Sequence, residues 1–264
     1  MHRLLLLLLL LVPVVHQDNT AVPDEPQALY EQGVLAYWRA NDDVAMQALS
    51  RAIELDPTMD QAYAYRGALY RALGNYAAAM TDFDAALAIN PVSSTTYALR
   101  SRLYMNLGDL QSALLDVNYA RQLDPDNALV YMSRAIIYLQ ISRLNKAILD
   151  YNHAIELNPS FAPAYNNRGL ALEFSGDYIN ALADYSRAIE LDPLLTAAYY
   201  NRGIVYTTIS QYQLAVEDFA TAITLQPQNG QFYARRAYAY QQLGETDLSV
   251  ADYTRAAELG YSDF

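Results

Sequence analysis

Small, aromatic and charged side chains return along this chain at one fixed interval of 34 residues. Prolines mark it most sharply, at Pro57, Pro91, Pro125, Pro159, Pro193 and Pro227. Placing the proline at position 32 frames seven units: 26–59, 60–93, 94–127, 128–161, 162–195, 196–229 and 230–263. Position 4 is Tyr63, Tyr97, Tyr131, Tyr165, Tyr199 and Tyr233, with Leu29 in the first unit. Position 8 is small throughout (Gly33, Gly67, Ser101, Ala135, Gly169, Gly203 and Ala237), and position 27 is alanine in every unit from Ala52 to Ala256. A period of this size marks a solenoid, in which each repeat is one supersecondary unit stacked on the last.

The pattern is one of packing. Small residues at positions 8, 20 and 27 let two antiparallel helices approach closely. Aromatics at position 4 and at position 24 (Phe83, Tyr151, Tyr185, Phe219, Tyr253) fill the space around them. Gly74, Gly108, Gly176 and Gly244 mark the turn between the helices, where a left-handed backbone favours glycine. The aspartate or asparagine before the proline ends the second helix, because proline pushes the preceding residue out of helical geometry. These residues resemble the tetratricopeptide repeat (TPR) family over 26–263. The resemblance implies an all-α fold, an α-solenoid of seven helix–turn–helix units in a right-handed superhelix. It also implies a concave groove, lined by the first helices, in which peptides bind.

Charge narrows the partners. The net charge is −12 and Lys146 is the one lysine, so no basic stripe exists to hold nucleic acid or an anionic membrane. The 24 tyrosines fit packing positions and call for no cofactor. At the N-terminus, Met1-His2-Arg3 precedes the run Leu4–Leu11, a basic start followed by an apolar core as in secretory signals. The run is short of the ~20 apolar residues that a bilayer span needs. Residues 1–21 therefore read as a cleaved signal or a retained N-terminal anchor, and 22–25 as a linker. Either way the repeats are expected outside the cytoplasm, secreted or attached to the cell envelope, and only an uncut N-terminus would touch a membrane. The absence of cysteine excludes disulfides.

Catalytic chemistry is sparse. Beyond the N-terminal segment the one histidine is His153, read as a solvated helix residue, so a nucleophile–histidine pair and the common zinc sets cannot be built. A non-enzymatic protein without cofactor is expected. A double ladder is the most unusual polar feature. Arg66, Arg100, Arg134, Arg168, Arg202 and Arg236 hold position 7, and Asp82, Asp116, Asp150, Asp184, Asp218 and Asp252 hold position 23. A row of structural Arg–Asp pairs is favoured over an anion-binding row, since a half-buried arginine without a carboxylate is costly. The spacing allows pairing within a unit or between units.

The resemblance also points to groove residues, at positions 2, 5, 6, 9, 12 and 13 of each unit. These give Tyr65, Leu99 and Arg102 early, an apolar middle at Met132, Ile136, Leu139 and Leu170, and later Asn167, Phe174, Tyr200, Asn201, Arg235 and Tyr238. Asn167 and Asn201 fit two readings equally, as amides gripping a peptide backbone or as solvated helix residues. Arg235 stands where it would meet a carboxylate. Gln231 and Ala197 occupy the places of the lysines that chaperone-binding TPR domains use, so that specificity is not expected. The leading function is an exported scaffold binding an extended peptide or protein segment. The alternatives are self-assembly through the C-terminal end, where Leu248, Leu259 and Phe264 lie, and an accessory subunit of an envelope complex.

Overall fold

The computed structural model describes residues 25–262. The expected signal or anchor, most of the linker, and Asp263 and Phe264 lie outside the described residues. Two helices form in each unit: α1 (Pro26–Trp38) and α2 (Asp42–Leu55), α3 (Asp60–Ala72) and α4 (Tyr76–Ile89), α5 (Ser94–Asn106) and α6 (Leu110–Leu123), α7 (Ala128–Gln140) and α8 (Leu144–Leu157), α9 (Ala162–Phe174) and α10 (Tyr178–Leu191), α11 (Thr196–Thr208) and α12 (Tyr212–Leu225), α13 (Gly230–Leu243) and α14 (Thr246–Glu258). No helix among the described residues is long and apolar enough to cross a membrane.

Local chemistry sets these boundaries. The residue at position 15 is left-handed in every unit, glycine in Gly74, Gly108, Gly176 and Gly244 but Ala40, Ser142 and Ser210 elsewhere. The next residue caps the second helix where it can: Asn75, Asp109 and Asp177 accept from backbone N–H groups three residues on, at 3.0–3.3 Å. At the other end, the residue before the proline leaves helical geometry, as in Asp192 at φ −139°. Its side chain has a second task. Asp56, Asn90, Asp124, Asn158 and Asp192 each accept from the N–H two residues on, closing a turn over the proline.

Packing follows the repeat. Phe83, Tyr151, Tyr185 and Phe219, all at position 24, are fully buried. A Cβ at Gly169 would lie 2.8 Å from the Tyr185 ring, so position 8 is small because a ring occupies that space. Tyrosines at position 4 tie a unit to the one before: Tyr97, Tyr165 and Tyr233 donate to the carbonyls of Pro91, Pro159 and Pro227. First helices of successive units also pack on one another, α3 on α5 and α5 on α7, whereas second helices pack mainly on first helices. The array therefore curves with its first helices inside.

The curvature brings unit 1 back onto units 4 to 6. Arg39, in the α1–α2 turn, donates to both carboxylate oxygens of Asp192 at 2.9–3.2 Å. Trp38 meets Phe161 edge-on with ring centroids 5.7 Å apart. Gln226 of unit 6 donates to the carbonyls of Arg39 and Ala40. A cavity of about 670 Å³, lined in part by Trp38, Tyr65, Leu129, Phe161 and Asp192, lies beneath this contact.

At the C-terminal end, Leu248 and Val250 of α14 are exposed. Leu259, offered with Leu248 for self-assembly, is instead half-buried, and with Tyr261 it folds back over Gly230 at the start of α13.

Candidate functional site

Every ladder arginine forks onto the aspartate sixteen residues later in its own unit. Nε and one terminal nitrogen meet the two carboxylate oxygens at 2.6–3.1 Å, from Arg66–Asp82 through Arg236–Asp252. The pairing is thus within units. The remaining terminal nitrogen points back to position 25 of the preceding unit, where Arg66 meets Ser50, Arg134 meets Asn118, Arg168 meets Asn152 and Arg202 meets Ser186. Arg100 lies 3.6 Å from Asp84 at the same place. Sequence reasoning overlooked position 25, although its polar residues recur there with the period.

Each guanidinium also rests against the position 4 tyrosine, 5.3–5.9 Å from the ring centroid. Hydrogen bonding to Asp184 raises the Arg168 guanidinium above its ordinary range, with burial opposing. With fork and ring contact made by all six arginines, and a back-bond by Arg66, Arg134, Arg168 and Arg202, the ladder holds the stack together and offers no free row of cations.

The inner face divides into two halves. In the N-terminal half, aromatics of unit 1 cover the surface. Tyr65 is 7% exposed and packs among Tyr30, Tyr37 and Trp38, with centroids 5.8–6.5 Å away. Leu99 and Met132 are fully buried. These three, expected on the groove surface, belong instead to the core: the in-turned unit 1 covers Tyr65, and Leu99 and Met132 join the same buried cluster.

Arg102 remains half-buried and donates to the Tyr37 hydroxyl at 3.3 Å. Arg71, which the sequence did not single out, donates to the same oxygen at 3.3 Å and to Asn106 Oδ1 at 3.0 Å. Burial pushes the Tyr37 hydroxyl up, but Arg102 and Arg71 together outweigh it and hold the phenol below the usual tyrosine range. Tyr30, buried beside Asp60 and Glu31, is pushed up to about 12.

The C-terminal half is open. Asn166, which was also overlooked, is buried between the two expected amides: it donates to Asn167 Oδ1 at 3.2 Å and accepts from Asn201 Nδ2 at 3.0 Å. Tyr200 leans on Phe232 at 5.2 Å; burial raises its hydroxyl, and a hydrogen bond from Arg235 opposes this. Arg235 is exposed, and Phe174 and Tyr238 are 62% and 41% exposed. Tyr185 reaches through from α10 to donate to Glu173 at 2.8 Å, and burial raises that carboxyl above its usual range. His153, elsewhere on α8, is half-buried, edge-on to Tyr131 at 4.2 Å and 3.3 Å from Glu156.

Stacked helix pairs curving around an inner face of aromatic, amide and guanidinium groups define an α-solenoid interaction scaffold. Tetratricopeptide repeat models match residues 60–91, 162–193, 196–229 and 230–259, and a TPR repeat model matches 137–173. Together these span more than half of the sequence, and the chain belongs to the tetratricopeptide repeat family.

No curated protein matches the sequence significantly. Among solved structures, the MamA protein is 25% identical with a TM-score of 0.55, over 63% of this chain and 91% of that one. A chain of the APC/C hetero-tetramer Cut9–Hcn1 has a TM-score of 0.77 at 16% identity, over 91% of this chain and 47% of that one. Pseudomonas aeruginosa pilF has a TM-score of 0.62 at 17% identity, over 76% of this chain and 91% of that one. The last two are likenesses of fold.

Proposed function

We propose that the protein is an exported, non-enzymatic scaffold that binds an extended peptide or protein segment along the inner face of units 5–7. The observation that carries this reading is the exposure of Phe174, Arg235 and Tyr238 beside the amides of Asn167 and Asn201 on α9, α11 and α13. Exposed aromatics supply contact area at low entropic cost, and amides can pair with both the donor and the acceptor of a peptide group. The covered N-terminal half leaves this stretch as the accessible part of the inner face. Export rests on the basic start and leucine run at Met1–Leu11.

Co-purification of the exported protein, against a variant with Asn167, Asn201, Arg235 and Tyr238 all changed to Ala, tests the site. Circular dichroism first establishes that the variant is folded. A partner held by the native chain and lost by the variant is expected; one held equally by both refutes this placement. Fusing residues 1–25 to a reporter active only outside the cytoplasm tests export, and a silent reporter would end that part of the proposal.

A second reading has one observation in its favour. Leu248 and Val250 are exposed on the outermost helix, α14, so two copies would meet through their final units. Light scattering that shows a concentration-dependent mass, abolished by Leu248→Glu, would favour it.

A further inference from the structure

The cavity between unit 1 and units 4 and 5 has the size and the lining of a ligand site. Its volume of about 670 Å³ lies within the range of about 300–1,000 Å³ that small-molecule pockets occupy. Both sides of the long-range contact build it: Trp38 comes from α1, Tyr65 from α3, Leu129 from α7, and Phe161 from the residue that precedes α9. The rings stand nearly perpendicular, Trp38 to Phe161 at 85° and Trp38 to Tyr65 at 79°. An edge-on contact uses one face of one ring, and Trp38 stays half-buried, so part of the aromatic surface remains accessible. Leu35, 46% exposed, lines the way in. Charge at the lining is of one sign. Among the described lining residues Arg39 is the one cation, and its fork neutralises Asp192. Asp126 also lines the cavity; it is exposed, and its carboxylate has no partner among the described residues. One negative charge beside aromatic surface is left over.

We propose that this cavity binds an aromatic ammonium, with the ring against Trp38, Tyr65 and Phe161 and the positive nitrogen toward Asp126. Aromatic walls accept a further ring edge-on or a cation over a face, and an unpaired carboxylate favours a cation and repels an anion. This chemistry has two sources. A free amine would fill the cavity alone. A bound segment would present an aromatic residue beside a basic one. The second source rests on the peptide-binding reading above: Pro163 lines the cavity, and Asn167 stands about one turn further along α9. From either source the ligand touches unit 1 and units 4 and 5 together, so binding stabilises the contact between them.

Trp38 is the one tryptophan in the sequence, so its fluorescence reports on the cavity directly. The full chain is titrated with phenethylamine, with phenylacetate as an anion of like size, and with a Phe-Lys dipeptide capped at both ends. Trp38 emission should shift saturably with phenethylamine and about threefold or more weakly with phenylacetate, the scale of an exposed ion pair. Asp126→Asn should abolish that preference, and Phe161→Leu should weaken both ligands several-fold. Phenethylamine bound more tightly than the dipeptide identifies a free amine; a dipeptide bound at least as tightly identifies a residue of a segment. The variant altered on units 5–7 should bind phenethylamine like the native chain, which separates failure of this site from failure of the proposed peptide surface. If Phe161→Leu does not fold, Asp126→Asn, at an exposed position, decides alone. No saturable shift with any probe, equal binding of phenethylamine and phenylacetate, or a preference that Asp126→Asn leaves intact overturns the proposal.

Discussion

Arg168→Ala is the sharpest test of how the stack is held. The substitution removes two charge-assisted bonds to Asp184, of 2.7 and 2.6 Å, and one of 2.8 Å to Asn152 in the preceding unit. The bonds themselves are not the main cost, since their gain is largely offset by desolvation. What matters is the carboxylate left behind, with a side chain 8% exposed and no second ion pair among the described residues. Breaking a buried pair in this way costs about 3–5 kcal/mol. The departing guanidinium is 22% exposed, so water enters beside Asp184 and brings the expected loss to the lower end, about 3 kcal/mol. Urea unfolding followed by circular dichroism measures it. Removing Asp184 as well should recover part of the loss, because no buried charge then remains. Arg187→Ala is the control: its partner is Glu190, both side chains are largely solvated, and the curve should not move. Hydrogen exchange should show protection falling first in α8–α10, on either side of the lost bridge to Asn152. A loss below about 1 kcal/mol, or equal effects from the two arginines, would refute the view that the ladder holds units together.

Gly176→Ala should destabilise by about 1 kcal/mol in the same assay, because φ is +83° and no atom lies within 4 Å of the new methyl, leaving backbone strain alone. Changing Trp38 and Arg39 together to Ala should open the curve, seen as a larger radius of gyration in solution scattering; an unchanged radius would mean that stacking within the array sets the curvature. Glu173 gives a pH signature. Its folded pKa is raised above the ordinary 4.5, so it favours the fold at acid pH, and that contribution is lost as pH rises through the folded value. Glu173→Gln should therefore gain stability over the native chain near pH 7, with the difference vanishing below about pH 4 in parallel melts.

What repeats was legible. Proline at 32, alanine at 27 and a small residue at 8 announce the helix pair, because each unit meets the same packing problem and solves it alike. The Arg–Asp ladder was visible as spacing, but its pairing depended on how two helices lie in space. Positions 7 and 23 turn out to face each other within the antiparallel pair. What does not repeat stayed hidden. Trp38 meets Phe161, and Arg39 meets Asp192, only because small rotations between units accumulate until unit 1 reaches units 4 and 5, and no local pattern encodes that sum. The same closure buried Tyr65 and spared Tyr238. Arg71 stands at position 12, one of the groove positions the resemblance marks, yet as a lone arginine there it looks like a solvated helix residue until Tyr37 and Arg102 stand beside it.

The contact between unit 1 and unit 5 changes how the array should come apart. A simple solenoid frays from both ends, since each terminal unit has one neighbour. Here the first unit is held twice, by the adjacent unit and by units 4 to 6, reached through Phe161, Asp192 and Gln226. Releasing α1 and α2 therefore requires breaking a second interface that encloses most of the array, while α13 and α14 are held by unit 6 alone. Unfolding should begin at the C-terminus and run backwards, making the first six units a clasped loop from which the last extends as a looser arm.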